Sequence, residues 1–161
     1  MKFTSYEEYG LRCLLQIGRA GGKGVTIPDI SRLEGLSEPY AAKLLRILRT
    51  GGFVKAARGQ TGGYTLAKPP SEIVVGDVLA ELGGRLFDVD FCKHHSGHEY
   101  SCTHSSDCSI RSLWTTVQTA VDAVLSRTTL HDLLGAESGH RRPSASFPVL
   151  LGAPGPHHPQ A

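Results

Sequence analysis

Three of the four cysteines in this chain of 161 residues lie close together, in the stretch CKHHSGHEYSCTHSSDC. They are Cys92, Cys102 and Cys108, with a spacing of C-x9-C-x5-C, and four histidines stand among them. Thiolates and imidazoles bind zinc and iron, and thiols can also form disulfides or act as nucleophiles. The stretch is therefore a candidate disulfide, zinc site, catalytic thiol or iron–sulfur site.

The rest of the chain disfavours two of these four alternatives. The N-terminal residues MKFTSYEEYG lack the apolar core of a signal peptide, and no apolar run approaches the roughly 18 residues that cross a membrane. We therefore expect a cytoplasmic protein with no membrane partner, whose thiols stay reduced. A catalytic thiol needs a fixed histidine base and an oxyanion site, for which a loop rich in glycine and serine is a poor scaffold. We expect no enzymatic activity.

The residues alone leave zinc and an iron–sulfur cluster open. Three thiolates and one loop histidine would complete a tetrahedral zinc site, but such sites usually carry cysteines in close C-x2-C pairs, which this sequence lacks. An iron–sulfur cluster is larger than one ion, so its ligands can be spread along a longer loop, although a fourth ligand is then needed. A switch that joins Cys102 and Cys108 without a cofactor is a further alternative. Cys13 stands in the apolar register of a predicted helix and is expected to be buried.

The elements before the cysteine loop predict a DNA-binding module over residues 1–70. A first helix covers residues 4–20, and two short helices follow over 27–35 and 38–50, joined by about three residues. Such a pair is typical of a helix-turn-helix. Two short strands, FVKAAR and GYTLA, then surround GQTGG and predict a hairpin, or wing. The predicted fold class is mainly α with a small β-wing, a winged helix-turn-helix.

Charge supports a DNA-binding role for this half of the chain. Residues 1–70 carry a net charge of +6 and the remaining residues a net charge of −4, which together give the overall +2. A basic half beside an acidic one fits a module that binds a polyanion such as double-stranded DNA. The candidate contacts are the N-terminal end of the second short helix, its basic face and the tip of the wing. They are Ser37, Glu38, Pro39, Tyr40, Lys43, Arg46, Arg58, Gln60 and Thr61.

These candidates would have different roles on DNA. Residues at the N-terminal end of a recognition helix usually meet base edges, and Glu38 could accept from a cytosine amino group. Lys43, Arg46 and Arg58 would supply positive charge to phosphates. The plainer alternatives are that Glu38 only stabilises a helix N-terminus and that Arg58 is a solvated turn residue.

Residues 71–134 are predicted to hold a helix that begins at Ser71, the cysteine loop over 92–108 and a long helix, SIRSLWTTVQTAVDAVLSR. Apolar residues of the long helix repeat at alternating steps of four and three, which is typical of packing on a second helix. They are Ile110, Trp114, Val117, Val121 and Val124. A second copy of the chain is the simplest partner, so we expect a homodimer; packing on the chain's own winged domain is the alternative.

The composition changes at residue 135. Residues 135–161 contain five of the nine prolines and show neither a helical nor a strand period. We expect this segment to be a disordered tail.

The order of these motifs resembles the Rrf2 family of bacterial transcriptional regulators over residues 1–134. The resemblance is carried by MKFTSYEEYGLRCLL, LSEPYAAKLLRILRTGGFV, the wing RGQTGGYTLA, the three-cysteine loop and the long helix with its tryptophan. It implies a winged-helix homodimer in which the long helices cross. It also implies that Cys92, Cys102 and Cys108 bind an iron–sulfur cluster, as in the family's regulators of cluster assembly, nitric oxide response and redox response. Two-fold symmetry then predicts a near-palindromic operator.

The fourth ligand of this cluster differs within the family. In the cluster-assembly regulator a histidine follows the last cysteine by three residues, but here that position is Arg111, which cannot bind iron. In some nitric oxide and redox regulators an acidic residue of the partner's first helix takes this role, and Glu8 stands at the matching position, with His104 as the alternative. The first cysteine gap is longer than is typical of the family, so both a 2Fe–2S and a 4Fe–4S cluster are compatible. The expected function is a repressor that senses iron–sulfur status, redox state or nitric oxide, with cluster biogenesis genes as its leading target.

Overall fold

The computed structural model of the protein describes residues 4–57, 62–84 and 108–137. The helices and strands, in chain order, are α1 (Ser5–Arg19), α2 (Ile27–Glu34), α3 (Glu38–Thr50), β1 (Val54–Ala57), β2 (Gly63–Leu66), α4 (Val75–Gly83), α5 (Ser109–Leu125) and α6 (Leu130–Glu137). A short 3-10 helix, Pro70–Glu72, precedes α4. Cys92, Cys102, His104, Arg58, Gln60 and Thr61 lie outside the described residues, as do residues 138–161 of the tail predicted over 135–161.

Local signals define the ends of the first helices. The carboxylate of Glu7 accepts a hydrogen bond from the backbone N–H of Thr4, which precedes α1, and this capping role accounts for a charged side chain that is almost fully buried. Thr26 forms a capping box with Asp29 at the start of α2. Gly35 ends α2 with a left-handed φ of 65°, which turns the chain towards α3.

The second and third helices form a helix-turn-helix, and a two-stranded wing follows them. Strands β1 and β2 are antiparallel, with Val54 opposite Leu66 and Ala57 opposite Gly63. An isolated bridge joins Val25, just before α2, to the second strand. The prediction of a mainly helical winged helix-turn-helix is therefore confirmed.

The segment after residue 70 packs into the same core as the DNA-binding module. Ile73, Val78, Leu82 and Leu130 belong to one buried cluster with the apolar faces of α1 and α3. Ser71 does not begin a helix as predicted: it lies in the 3-10 helix, and α4 begins at Val75. The reason is that the intervening backbone is extended and pairs with the segment after α5, since the N–H of Leu130 donates to the carbonyl of Ile73.

Helix α1 is held closely by the elements that follow the wing. A Cβ added at Gly10 would lie 2.4 Å from the side chain of Leu82 in α4, so a larger residue there would require Leu82 to move. Leu134 of α6 lies against Gly18, near the other end of α1. Helix α6 runs to Glu137, so the first three residues of the predicted tail, 135–137, are helical. Helix α1 therefore packs against both α4 and α6.

Helix α5 has one broad apolar face that is only partly covered. One side lies against α4, where Leu125 contacts Gly76, and Val121 lines the groove between the two helices. The other side is open: Ile110 is 60% exposed, Leu113 54% and Val124 40%. No helix within the described residues is long and apolar enough to cross a bilayer.

Candidate DNA interface and cysteine site

Helix α3 presents its N-terminal end to solvent. Ser37 precedes the helix in an extended conformation, and Ser37, Glu38 and Pro39 are all exposed. The opposite face of the helix is fixed by fully buried side chains, Ala41, Leu44, Leu45 and Leu48. The buried side chains fix the orientation of α3 about its own axis. The end of α3 that is predicted to read bases is therefore exposed and could enter a major groove.

Basic side chains continue along the exposed face. Lys43 and Arg46 are exposed on α3, as predicted, and Arg49 adds a third exposed cation in its last turn. Lys55 is exposed on β1, next to the wing tip. These exposed cations give α3 and the first strand of the wing a positively charged surface.

Three tyrosines pack where α1 meets α3, an arrangement that the sequence did not predict. We call Tyr6, Tyr9 and Tyr40 the tyrosine cluster. The ring of Tyr40 meets that of Tyr6 edge-to-face at a centroid distance of 5.6 Å, and that of Tyr9 at 6.2 Å. The ammonium of Lys43 lies 4.9 Å from the centroid of the Tyr6 ring. The spacing of Tyr6 and Tyr9, one turn apart on α1, was the available signal.

Cys108 occupies the N-cap position of α5 and is half-buried. Its Sγ accepts a hydrogen bond from the backbone N–H of Arg111 at 3.4 Å. Cysteine sulfur is a ligand type that both zinc sites and iron–sulfur clusters use. The donor chemistry at Cys108 therefore fits either kind of metal site, and the side chain of Arg111 offers no competing ligand.

Glu8 lies on the exposed side of α1, and Arg12 is its partner. The Glu8 Oε1 atom lies 2.7 Å from Nη2 of Arg12 and 2.8 Å from Nε. This hydrogen bond and the negative charge of Glu8 raise the pKa of Arg12, so the guanidinium stays charged. The two residues line a surface groove of about 470 Å³ that also includes Leu11, Leu15 and Glu34. Glu8 is thus accessible to another chain.

Cys13 has the predicted core position, with no exposed surface. Burial raises the pKa of its thiol to about 12, and the nearby charge of Glu34 acts in the same direction. A neutral buried thiol is a poor metal ligand. Among the described residues, which include only one of the three loop cysteines, no group of three metal-binding side chains is assembled.

Comparisons with known proteins agree with this architecture. A family model described as "Rrf2: Iron-dependent Transcriptional regulator" matches residues 3–136. The HTH-type transcriptional regulator CymR of Bacillus subtilis is 32% identical over 142 residues, which are 88% of this chain and 95% of CymR. Its structure, described as that of the global cysteine regulator of B. subtilis, has a TM-score of 0.68 at 31% identity and covers 84% of this chain and 98% of that one.

Two further structures extend the comparison. T. potens IscR has a TM-score of 0.68 at 29% identity and covers 88% of this chain and 93% of its own. The oxidized form of Staphylococcus aureus CymR has a TM-score of 0.65 at 29% identity, with coverages of 83% and 96%. On the family match, which spans the helix-turn-helix, the wing and the long helix, this chain belongs to the Rrf2 family of transcriptional regulators.

Proposed function

We propose that this protein is a homodimeric repressor that binds an iron–sulfur cluster through Cys92, Cys102 and Cys108 and acts on DNA in the cytoplasm. The observation that carries the proposal is the position of Cys108. Its thiol caps the helix whose other residues form the open apolar face, so a metal bound there would sit at the base of the dimer contact. The iron-dependent description of the family supports iron over zinc.

The DNA-binding half of the proposal rests on α3 and the wing. Ser37, Glu38, Pro39 and Tyr40 would face base edges, while Lys43 and Arg46, with Arg58, Gln60 and Thr61 at the wing tip, would contact the backbone or the minor groove. A two-fold dimer would bind a near-palindromic operator with half-sites about one helical turn, or a multiple of it, apart. The open side of α5 supplies the apolar surface that such a dimer needs.

Lys43 allows a direct test of the backbone contacts. Replacing it by glutamine removes one phosphate contact per protomer, so affinity should fall on all sequences and the salt dependence should weaken by about one counterion for each copy. Arg127→Gln is the matched control, since Arg127 is exposed but lies outside the helix-turn-helix and the wing. An equal salt slope for the wild type and Lys43→Gln would refute the assignment.

Sensing would act through the packing of α1. An iron–sulfur cluster supplies, when bound, an iron centre that reacts with oxidants and nitric oxide. Cys108 would hold the base of α5, and Glu8 of the partner subunit would bring α1 to the same site. Because α1 packs on both α3 and α4, release of Glu8 would let the two recognition helices change their separation. A few kcal/mol of difference between the two arrangements changes occupancy by about two orders of magnitude.

Glu8 is the proposed fourth ligand, with His104 as the alternative. The ion pair of Glu8 with Arg12 is exposed, so Glu8→Gln should change the melting temperature of the metal-free protein by no more than about 2 °C. The bound iron should nevertheless be lost to a chelator at least about tenfold faster, since a ligand is missing. Glu34→Gln is the control, because Glu34 faces the same Arg12 without being a proposed ligand. An unchanged spectrum and lifetime would transfer the role to His104.

We take genes of iron–sulfur cluster biogenesis as the leading regulon. Footprinting of the cluster-bound and cluster-free proteins on the protein's own promoter tests this directly. Protection that depends on the cluster supports the proposal, and identical footprints would show that the cluster does not control binding.

A second candidate function is favoured by the likeness to two CymR proteins. The structure of B. subtilis CymR is described as that of a global cysteine regulator, and one structure of Staphylococcus aureus CymR is described as an oxidized form. In this case Cys102 and Cys108 would form a disulfide without any cofactor, or the loop would hold a structural zinc. Protein without iron would then change its DNA affinity on treatment with a thiol oxidant. Peptide mapping for a bond between Cys102 and Cys108, together with zinc analysis, separates these alternatives from the cluster.

A further inference from the structure

We infer that Tyr6 of α1 is a positioning residue for DNA recognition, because it holds Lys43 and the N-terminal end of the recognition helix in place. The inference rests on the proposed contact between Lys43 and phosphate. It assigns a DNA-binding role to a residue that lies outside both the helix-turn-helix and the wing.

The contacts around Tyr6 connect it with two residues of α3. The Lys43 ammonium is 4.9 Å from the centroid of the Tyr6 ring, within the range of about 6 Å at which a cation is attracted to an aromatic face. The edge-to-face contact of Tyr6 with Tyr40, at an interplanar angle of 73°, fixes the ring that carries this cation. The hydroxyl of Tyr40 also donates to Oγ of Ser5 at 3.2 Å. The first turn of α1 is thus tied to the first two turns of α3.

This arrangement prepares Lys43 for a phosphate. A free lysine side chain samples many rotamers, and it loses that freedom when it binds. The Tyr6 ring restricts the side chain before DNA arrives, so less freedom is lost on binding. Lys43 is exposed while Tyr6 is half-buried, which leaves the ammonium at the surface and open to a further partner.

Through the same contacts, a movement of α1 would change the position of Lys43 on the proposed DNA-binding surface. Tyr6 and Glu8 are two residues apart on one helix, and Tyr9 also touches Tyr40. If the partner's cysteine site holds Glu8, any shift of the first turns of α1 carries the Tyr6 ring, and with it Lys43. Tyr6 would then act through Lys43 and not by contacting DNA itself.

A double-mutant cycle on the full-length dimer tests this inference. Binding of Tyr6→Leu, Tyr6→Phe, Lys43→Gln and the Tyr6→Leu/Lys43→Gln pair to a fluorescent mixed-sequence duplex would be followed by anisotropy at several salt concentrations. Removing the ring should weaken binding by about two- to fivefold, the size of an exposed cation–π contact. Tyr6→Phe, which keeps the ring, should match the wild type, and Tyr6→Leu should add nothing once Lys43 is glutamine.

Each other outcome overturns the inference in a distinguishable way. If Lys43→Gln leaves the affinity and salt slope unchanged, the phosphate assignment fails, and the role of Tyr6 fails with it. If Lys43→Gln weakens binding, three results would refute the role of Tyr6 alone. Tyr6→Leu could leave the affinity unchanged, it could strengthen binding, or its loss of affinity could add fully to that of Lys43→Gln in the double variant. Should Tyr6→Leu not fold, phenylalanine with increasing ring fluorination at position 6 keeps the packing and weakens the cation–π contact stepwise. Affinity should then fall with each fluorine, and a constant affinity would reject the inference.

Discussion

Replacing Leu113 by serine is expected to weaken the proposed homodimer and to leave the fold of each protomer intact. Leu113 is 54% exposed on the open side of α5, beside Ile110 and Val124, so it contributes little to the core of its own chain. Leu33 offers a matched control: it is also a leucine in a helix, it is 51% exposed, and it lies on α2, away from this face.

The size of the effect follows from the exposed fraction. Complete burial of a leucine side chain stabilises by about 1.5–3 kcal/mol. About half of Leu113 remains to be buried, which corresponds to about 0.8–1.6 kcal/mol in each protomer. A two-fold interface contains the residue twice, so the substitution should remove about 1.6–3.2 kcal/mol. The dissociation constant of the dimer should therefore rise by about 10- to 200-fold.

Sedimentation equilibrium of the wild type, Leu113→Ser and Leu33→Ser measures the three dissociation constants directly. Thermal unfolding of the same samples at high protein concentration checks that each protomer remains folded. The reasoning is wrong if both leucine variants dimerise as tightly as the wild type, or if Leu33→Ser weakens the dimer as much as Leu113→Ser does.

Three further predictions concern the fold around the site. Burial raises the pKa of the Cys13 thiol to about 12. Cys13 should therefore resist alkylation by iodoacetamide in the folded protein and react in denaturant, as followed by mass spectrometry. Rapid alkylation of the native protein would contradict its burial. Gly63→Ala should lower the free energy of unfolding in urea by about 1–3 kcal/mol, because φ is 144° and the new Cβ would lie 2.8 Å from the carbonyl oxygen of Val25; an unchanged midpoint would refute this. Thr129 donates two hydrogen bonds to Asp132, and these bonds lower the pKa of the Asp132 carboxyl. They stabilise the folded protein fully above the ordinary pKa of an aspartate, and this stabilisation is lost as the pH falls through the lower pKa of the folded state. Thr129→Val should therefore lower the free energy of unfolding by about 1 kcal/mol at neutral pH and by progressively less in acid. A difference between the two proteins that does not change with pH would argue against a role for the ionised Asp132 carboxylate.

Short-range patterns were enough to predict the DNA-binding module. Thr26 before a helix and Gly35 after it mark the ends of α2 through backbone hydrogen bonds that involve only nearby residues. The wing was equally local, since a glycine-rich turn between two short strands specifies a hairpin. The identity of the recognition helix and of its exposed cations followed from these elements.

Local sequence patterns did not predict which residues of α5 are exposed. Its apolar residues form one broad face that is only partly covered. The predicted set combined Ile110 and Val124, which are exposed, with Val121, which lines the groove against α4. Leu113 belongs to the open side and was left out. Only the placement of α4 decides which side is already covered, and that placement depends on contacts distant in sequence.

The tyrosine cluster escaped prediction for the same reason. Tyr6 and Tyr40 are 34 positions apart, and the crossing of α1 and α3 brings their rings together. Glu7 is similar, because a charged residue on a helix is expected at the surface, yet its capping role and the closeness of Gly83 enclose it. Residues whose role depends on where two helices cross are those that sequence patterns reveal least.

Analysis of anaerobically purified protein tests most directly whether the three cysteines of the loop hold an iron–sulfur cluster, as proposed. The protein should be brown, absorb at roughly 300–450 nm and contain both iron and acid-labile sulfide, as cysteine-bound clusters do. Serine at Cys92, Cys102 or Cys108 should abolish the colour, whereas serine at Cys13 should preserve it. A colourless protein with one zinc ion per chain, or with no metal at all, would contradict the claim.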